Sequence, residues 1–216
     1  MALIFKQFEI GPMQNFGYLI GDDQTKEAFI VDPAWAPDTF QKEVNQLGFK
    51  LTGMIITHAH YDHTNAIEEI LVQHDIPVYA NKAEITYSKS GTSIVASLGK
   101  TVKGLEGGEK VKIGETELTF LHTPGHTPGS QCIQVGDNLI TGDTLFMGGC
   151  GRADLPGGDG PTLFKSLQKI ATLPSHLVFW PGHDYGFIPN QTLEKEKKSN
   201  PYLQMQSNDE FLQALS

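Results

Sequence analysis

Short apolar runs, punctuated by Gly and Pro, recur along the whole chain, and their period sorts them into strands and helices. Leu3–Phe8, Phe16–Ile20 and Ala28–Val31 are brief, aromatic- and β-branched-rich and bounded by turn residues, which predicts opening strands. A helix is predicted to start at Pro37-Asp38, with Asp38 as N-cap, Gln41 three residues on and Gly48 as its C-terminal stop. Leu51–Thr57 reads as a buried strand, followed by a His-rich turn, a helix over Asn65–Gln73 and a short strand at Pro77–Ala80. The weakly patterned stretch Asn81–Lys100 predicts one or two short helices.

The second half has the same grammar. Strands are predicted at Thr116–Leu121, Gln131–Val135 and Asn138–Thr141, then a Gly-rich loop over Gly148–Gly160. Pro161 suits the first turn of a helix running to about Leu173, and Leu177–Trp180 is the last predicted strand. A short helical tail is expected over about 189–216, where Glu194-Lys195-Glu196-Lys197-Lys198 reads as a solvated helix face. Strands mixed with helices in both halves predict a layered α/β or α+β fold, organised as a single domain over residues 1–216.

Charge narrows the partners. A formal charge of −9 without a basic stripe argues against a nucleic-acid backbone. No apolar run approaches the ~20 residues of a bilayer span, so no membrane partner is expected. The opening MALIFKQFEIGP carries no small-residue cleavage site, from which a cytoplasmic location is expected. Cys132 and Cys150 are too few for a disulfide framework and read as reduced thiols.

Histidine changes the picture. Thr57-His58-Ala59-His60-Tyr61-Asp62-His63 concentrates imidazoles and a carboxylate directly after an apolar strand. These are the ligand types of zinc and other first-row divalent ions. His58 and His60 alternate like same-face strand residues, whereas Asp62 and His63 come after the chain has turned, which suits two adjacent metals better than one. Further candidates follow strands in the same way: Thr123-Pro124-Gly125-His126, Thr141-Gly142-Asp143 and Pro181-Gly182-His183. Asp32, at a strand end before Pro33, either orients a ligand imidazole or only shapes a turn. His122 is a weaker candidate beside the His126 turn, and His74 and His176 read as surface or packing residues.

In order and spacing, THAHYDH, TPGH, TGDTLF and PGHDYG resemble the metallo-β-lactamase superfamily of hydrolases. The resemblance implies a four-layer αβ/βα sandwich, two mixed sheets with helices outside. It implies that His58, His60 and His126 hold a first divalent metal, that Asp62, His63 and His183 hold a second, and that Asp143 bridges them. Zn2+ is the expected ion, with Fe2+ or Mn2+ as alternatives. The expected reaction is cleavage of a thioester or related small acyl substrate by hydroxide generated at the metals, with Asp62 orienting that nucleophile.

The stretch GDTLF…GGCGR is similar to two branches, glyoxalase II (hydroxyacylglutathione hydrolase) and the persulfide dioxygenases. Glyoxalase II carries a helical C-terminal domain for which the stretch after His183 is too short, and Ala153-Asp154 stands where it has a tyrosine. The alternative activity is therefore a mononuclear iron persulfide dioxygenase acting on glutathione persulfide, with His58, His126 and Asp143 as its facial set. Arg152, the only arginine, is a candidate for binding a substrate carboxylate; its alternative is a salt bridge to Asp154 or Asp159. Cys150 belongs to the shared motif, or is simply a small residue in a tight loop. Oligomeric state is not specified at this level.

Overall fold

Residues on successive positions of the central strands go to opposite faces, and here both faces are apolar. In the computed structural model, which describes residues 3–89, 91 and 93–215, this produces a stack of helices, sheet, sheet and helices. The first half forms β1 (Leu3–Ile10), β2 (Asn15–Asp22), β3 (Glu27–Val31), α1 (Pro37–Gln46), β4 (Lys50–Ile55), α2 (Tyr61–Thr64) and α3 (Ile67–Gln73). It continues with β5 (Val78–Asn81), α4 (Lys82–Ser88), a 3-10 stretch (Ile94–Thr101) and β6 (Val102–Leu105). The second half forms β7 (Lys110–Ile113), β8 (Thr116–His122), β9 (Gln131–Val135), β10 (Asn138–Gly142), β11 (Leu145–Phe146) and β12 (Gly149–Cys150). Then come α5 (Gly160–Ala171), β13 (Val178–Pro181), β14 (Gln191–Thr192), α6 (Leu193–Ser199), α7 (Pro201–Gln204) and α8 (Asn208–Leu215).

One six-stranded sheet runs β1-β2-β3-β4-β5-β6 and the other β14-β13-β10-β9-β8-β7. Both are mixed: β3 to β6 pair in parallel beyond an antiparallel start, and β10 pairs in parallel with β13 inside an otherwise antiparallel sheet. Tyr18, Ile20, Phe29 and Val31 face the other sheet and meet Phe120, Ile133 and Ile140. Their neighbours Leu19 and Ile30 face outward to Phe40 of α1 and Ile67 of α3. On the far side, Cys132, Leu139 and Phe179 pack under Leu163, Leu167 and Ile170 of α5 and Phe211 of α8. The α+β sandwich expected from the motifs is thus the observed fold.

Several local expectations change. The N-cap of helix α1 lies two residues earlier than expected: Ala36 takes that position and Pro37 lies in the first turn, so Asp38 is a first-turn acid and not the cap. Gly48 does follow the helix, at φ 68° in the left-handed region that ends helices. The short strands β6, β7 and β14 escape the apolar pattern because they lie at or beside sheet edges and carry polar residues. The Glu194–Lys198 face is not wholly solvated. Glu196 is fully buried and accepts hydrogen bonds from the Gly148 N–H (2.7 Å) and the Asn200 amide (2.7 Å), tying α6 to the turn between β11 and β12.

Asp22 joins the two sheets at one end. Its carboxylate accepts from the Gln24 and Thr25 N–H groups (2.9 and 3.1 Å) and, across the sheet gap, from the Glu115 N–H and the Thr116 hydroxyl (2.9 and 3.0 Å). These bonds, the Thr25 N–H foremost, hold its pKa down at about 2 from an ordinary 3.8. A depressed carboxylate stabilises the fold above its unfolded pKa and loses that contribution as the folded group protonates. Thermal melts of Asp22→Asn and wild type are therefore expected to differ most above pH 3.8 and to converge as pH falls towards about 2. A pH-independent gap would show that the Asp22 charge contributes nothing. No helix among the described residues is long and apolar enough to cross a membrane.

Candidate metal centre

Each candidate ligand lies just past the carboxyl end of a strand, and both sheets contribute. His58, His60, Asp62 and His63 follow β4, His126 follows β8, Asp143 follows β10 and His183 follows β13. Backbone bonds stitch these ends together. Phe16 N–H donates to the Gly182 carbonyl (2.8 Å), Asp184 N–H to the Gln14 carbonyl (2.8 Å), and Gln131 N–H to the Thr57 carbonyl (2.9 Å). Gly182 permits a close approach: a Cβ there would lie 2.2 Å from the Asp143 Oδ1.

The seven side chains meet in three overlapping groups: His58–His60–His126, His58–His63–Asp143 and Asp62–His63–His183, with ligand atoms within 4.8 Å of one another in each. His60 Nδ1 lies 3.0 Å from both His58 Nε2 and His126 Nε2, and His63 Nε2 lies 3.1 Å from His183 Nε2. Between them, the Asp143 carboxylate is 3.4 Å from His63 and His183, 3.5 Å from His126 and 3.9 Å from His58.

The outward nitrogens are anchored, and this sets what the inward ones can do. His126 Nδ1 donates to the Arg152 carbonyl (2.7 Å) and His183 Nδ1 to the Met13 carbonyl (2.9 Å). His63 Nδ1 donates to Asp32 Oδ2 (3.0 Å). The Thr57 hydroxyl gives its proton to Asp32 (2.7 Å), so it accepts from His58 Nδ1 (3.0 Å). With Nδ1 protonated, each neutral ring presents a bare Nε2 lone pair to the centre.

Electrostatics sharpen the point. Burial, reinforced by the neighbouring His63 and His126, pushes His58 well below the usual imidazole range, and burial beside His126 lowers His60 to about 4. His58 and His60 are therefore neutral at pH 7, and His60 Nδ1 lies 3.0 Å from the Nε2 atoms of both His58 and His126, more ring nitrogens than one shared proton can satisfy. Burial would raise the Asp143 carboxyl, yet His63, His183 and His126 outweigh it and hold it at about 2. Asp143 Oδ1 is buried without a hydrogen-bond partner. Converging lone pairs and an orphaned carboxylate oxygen are the donor set a divalent cation satisfies, so the residues fit a metal. On the other side, burial lowers His183, but Asp143 and Asp62 override it and raise it to about 10; that proton occupies the space a cation would displace.

Asp32, buried with φ 52°, lies behind His63 and so takes the orienting position rather than only a turn. His122 does not reach the centre; it meets the Pro128 carbonyl (2.9 Å) and braces the turn after His126. His74 pairs with Gln41, and exposed His176 lies 3.5 Å from Asp137. Arg152 is exposed and makes a bidentate pair with Asp154 (2.9 and 2.7 Å), while its carbonyl serves His126. Burial pushes the Cys150 thiol up to about 12, which removes it as a thiolate at neutral pH and fits a packing role.

The apolar pattern and the motifs both pass over Glu84. It is 1% exposed on α4, and one oxygen accepts from the Ala59 N–H (2.7 Å), between His58 and His60. The other accepts from the Thr127 hydroxyl (2.8 Å) and the Gly129 N–H (2.7 Å), directly after His126. One carboxylate thus staples the two loops that carry His58, His60 and His126. Asn15 plays a parallel part: its amide oxygen accepts from the Trp35 indole (3.0 Å), which turns its NH2 towards the Asp62 carboxylate (2.9 Å). A Glu four residues from a predicted strand, and an Asn just before one, carry no pattern that would single them out.

A sequence match to the metallo-beta-lactamase superfamily spans residues 10–183, and the chain belongs to that superfamily. It is similar to the "Probable polyketide biosynthesis zinc-dependent hydrolase BaeB" of Bacillus velezensis, 33% identical over 199 residues, covering 92% of this chain and 85% of that protein. It is 32% identical over 208 residues to the mitochondrial persulfide dioxygenase ETHE1 of Homo sapiens, covering 93% and 76%. A hydroxyacylglutathione hydrolase of Hahella chejuensis is 34% identical over 176 residues, covering 79% of this chain and 62% of its own length. Among solved structures, ETHE1 from Myxococcus xanthus superposes with a TM-score of 0.86 at 30% identity, covering 98% of this chain and 89% of that one. The glyoxalase II branch suggested by the motifs is therefore one relationship among several.

Proposed function

We propose that this chain is a metal-dependent hydrolase of thioesters or related small acyl substrates. The observation that carries the reading is the convergence of inward imidazole nitrogens and carboxylates around a buried Asp143 oxygen that has no hydrogen-bond partner. In this reading His58, His60 and His126 hold one divalent cation, Asp62, His63 and His183 hold a second, and Asp143 faces both. When bound, such cations lower the pKa of a water and polarise a carbonyl. The chain's own contribution is positional. Carbonyls of Met13 and Arg152, with Asp32 and Thr57, fix the rings. Asn15 and His183 hold Asp62 well below the ordinary carboxylate range although burial opposes this, so Asp62 orients the nucleophile as an acceptor and is a weak base. Tyr185 stacks on His183 at 4.6 Å and covers that ring.

A second reading is favoured by the likeness to persulfide dioxygenases: oxidation of a persulfide at one iron held by His58, His126 and Asp143. Metal analysis, followed by reconstitution with zinc, iron and manganese, separates the two. Thioester cleavage restored by zinc with no oxygen uptake is expected. Iron-dependent oxygen uptake on glutathione persulfide, without thioester turnover in any metal form, would replace the hydrolase reading.

A further inference from the structure

A cavity of about 400 Å3 opens beside the metal centre, lined by His60, Tyr61, Asp62, Tyr87, Leu155 and Pro156. We propose that it binds a neutral apolar or aromatic acyl group, whose carbonyl is thereby presented to the centre. This rests on the acyl-hydrolase reading and names its substrate class.

Continuity with the reacting end comes first. His60 and Asp62 belong to both the cavity and the metal-ligand groups, so whatever fills the cavity is covalently within reach of the carbonyl at the metals. The remaining wall is apolar or aromatic. Tyr61 sits between those residues with 69% of its surface exposed, held edge-on by Trp35 at 5.7 Å. A large ring kept rigid in water gains by covering, about 25 cal/mol for each Å2 of apolar surface removed from solvent.

The opposite wall is preorganised. The Tyr87 hydroxyl donates to the Pro156 carbonyl, which ties α4 to the Gly-rich loop. Gly157 packs against the Tyr87 ring, where a Cβ would lie 2.8 Å from it, and Gly158 N–H closes a turn onto the Leu155 carbonyl (2.8 Å). Little ordering cost remains to be met when a ligand enters.

Charge then selects among acyl groups. No Lys or Arg lines the cavity, Asp62 lies in its floor, and the only arginine of the chain is already paired with Asp154. A carboxylate or phosphate on the acyl side would find no cationic side chain in this wall to pair with. A neutral hydrocarbon or aryl group meets matching surface.

The test uses the metal-loaded full chain and acyl thioesters of one small neutral thiol: acetyl, butanoyl, hexanoyl, phenylacetyl and succinyl. kcat/KM is expected to rise about two- to fourfold per methylene until the cavity is full, the factor set by burying a CH2. Succinyl should fall below butanoyl. Tyr61→Ala and, separately, Leu155→Ala should flatten the hexanoyl-to-acetyl ratio towards one; Leu155 lies outside the ligand segment and keeps the test open if the Tyr61 variant loses metal. A flat acyl series, a preference for succinyl, or a ratio untouched by both variants overturns the proposal. A protein that turns over no thioester refutes the hydrolase reading instead. The cavity is then judged by titrating the cobalt-substituted protein with ethanethiol, hexanethiol and 3-mercaptopropionate. Affinity that rises with alkyl length upholds it, and affinity that does not rise overturns it.

Discussion

Asp143→Ala is expected to lower turnover at least about a thousandfold and to strip most of the bound metal. Among the described residues Asp143 is the one carboxylate with ion-pair contacts within 4 Å to imidazoles from both ligand groups, 3.4 Å from His63 and His183 and 3.5 Å from His126. In the two-cation reading its negative charge would offset the repulsion between the ions, and its loss leaves only Asp32 and Asp62 beside these imidazoles among the described residues. A Lewis-acid contribution of several kcal/mol to the transition state corresponds to that thousandfold or more. Asp143→Asn preserves the volume beside Gly182, where a Cβ would already lie 2.2 Å from the carboxylate, so it isolates charge from shape. Metal content and steady-state rates, measured together, decide the matter. Full turnover by a metal-replete alanine variant would remove Asp143 from the chemistry.

The second large effect is expected at a residue that touches no candidate ligand side chain. Glu84→Ala leaves the Ala59 N–H, the Gly129 N–H and the Thr127 hydroxyl as buried donors that have lost their carboxylate. Each unsatisfied donor costs about 1–3 kcal/mol. Burial raises the Glu84 pKa, so part of the loss is offset because a charge no longer has to be buried. A net loss of about 3 kcal/mol, roughly 6–12 °C in melting temperature for a chain of this size, is the expected result. Because the freed loops carry His58, His60 and His126, metal affinity at that group should fall more than at Asp62–His63–His183, as read by chelator competition. Glu84→Gln keeps the size but turns an amide N–H towards donors, and should show the same selective loss. A lower melting temperature with both affinities intact would reduce Glu84 to a packing residue.

Legibility from the sequence follows locality. His58, His60, Asp62 and His63 share one turn, and a strand running into a turn places such side chains at one sheet edge whatever else the chain does. Apolar strands such as β2 and β3, buried on both faces, announce themselves as hydrophobic runs. Glu196 shows the opposite case. In an alternating acid–base run it looks solvated, and only packing against the turn at Gly148 buries it. Arg152 offered two readings, and the pairing with Asp154 is set by two neighbouring side chains that sequence distance alone does not orient.

Residue type determined which chemistry was available: imidazoles and carboxylates placed after strands can serve a cation. Which nitrogen of each ring faces inward was decided by the tertiary structure. His126 is fixed by a carbonyl 26 residues away and His183 by one 170 residues away. Every residue carries a carbonyl, so the identity of an amino acid holds no record of which distant one will accept its proton. That choice belongs to the packing of two sheets against each other, and with it goes the direction in which each lone pair points.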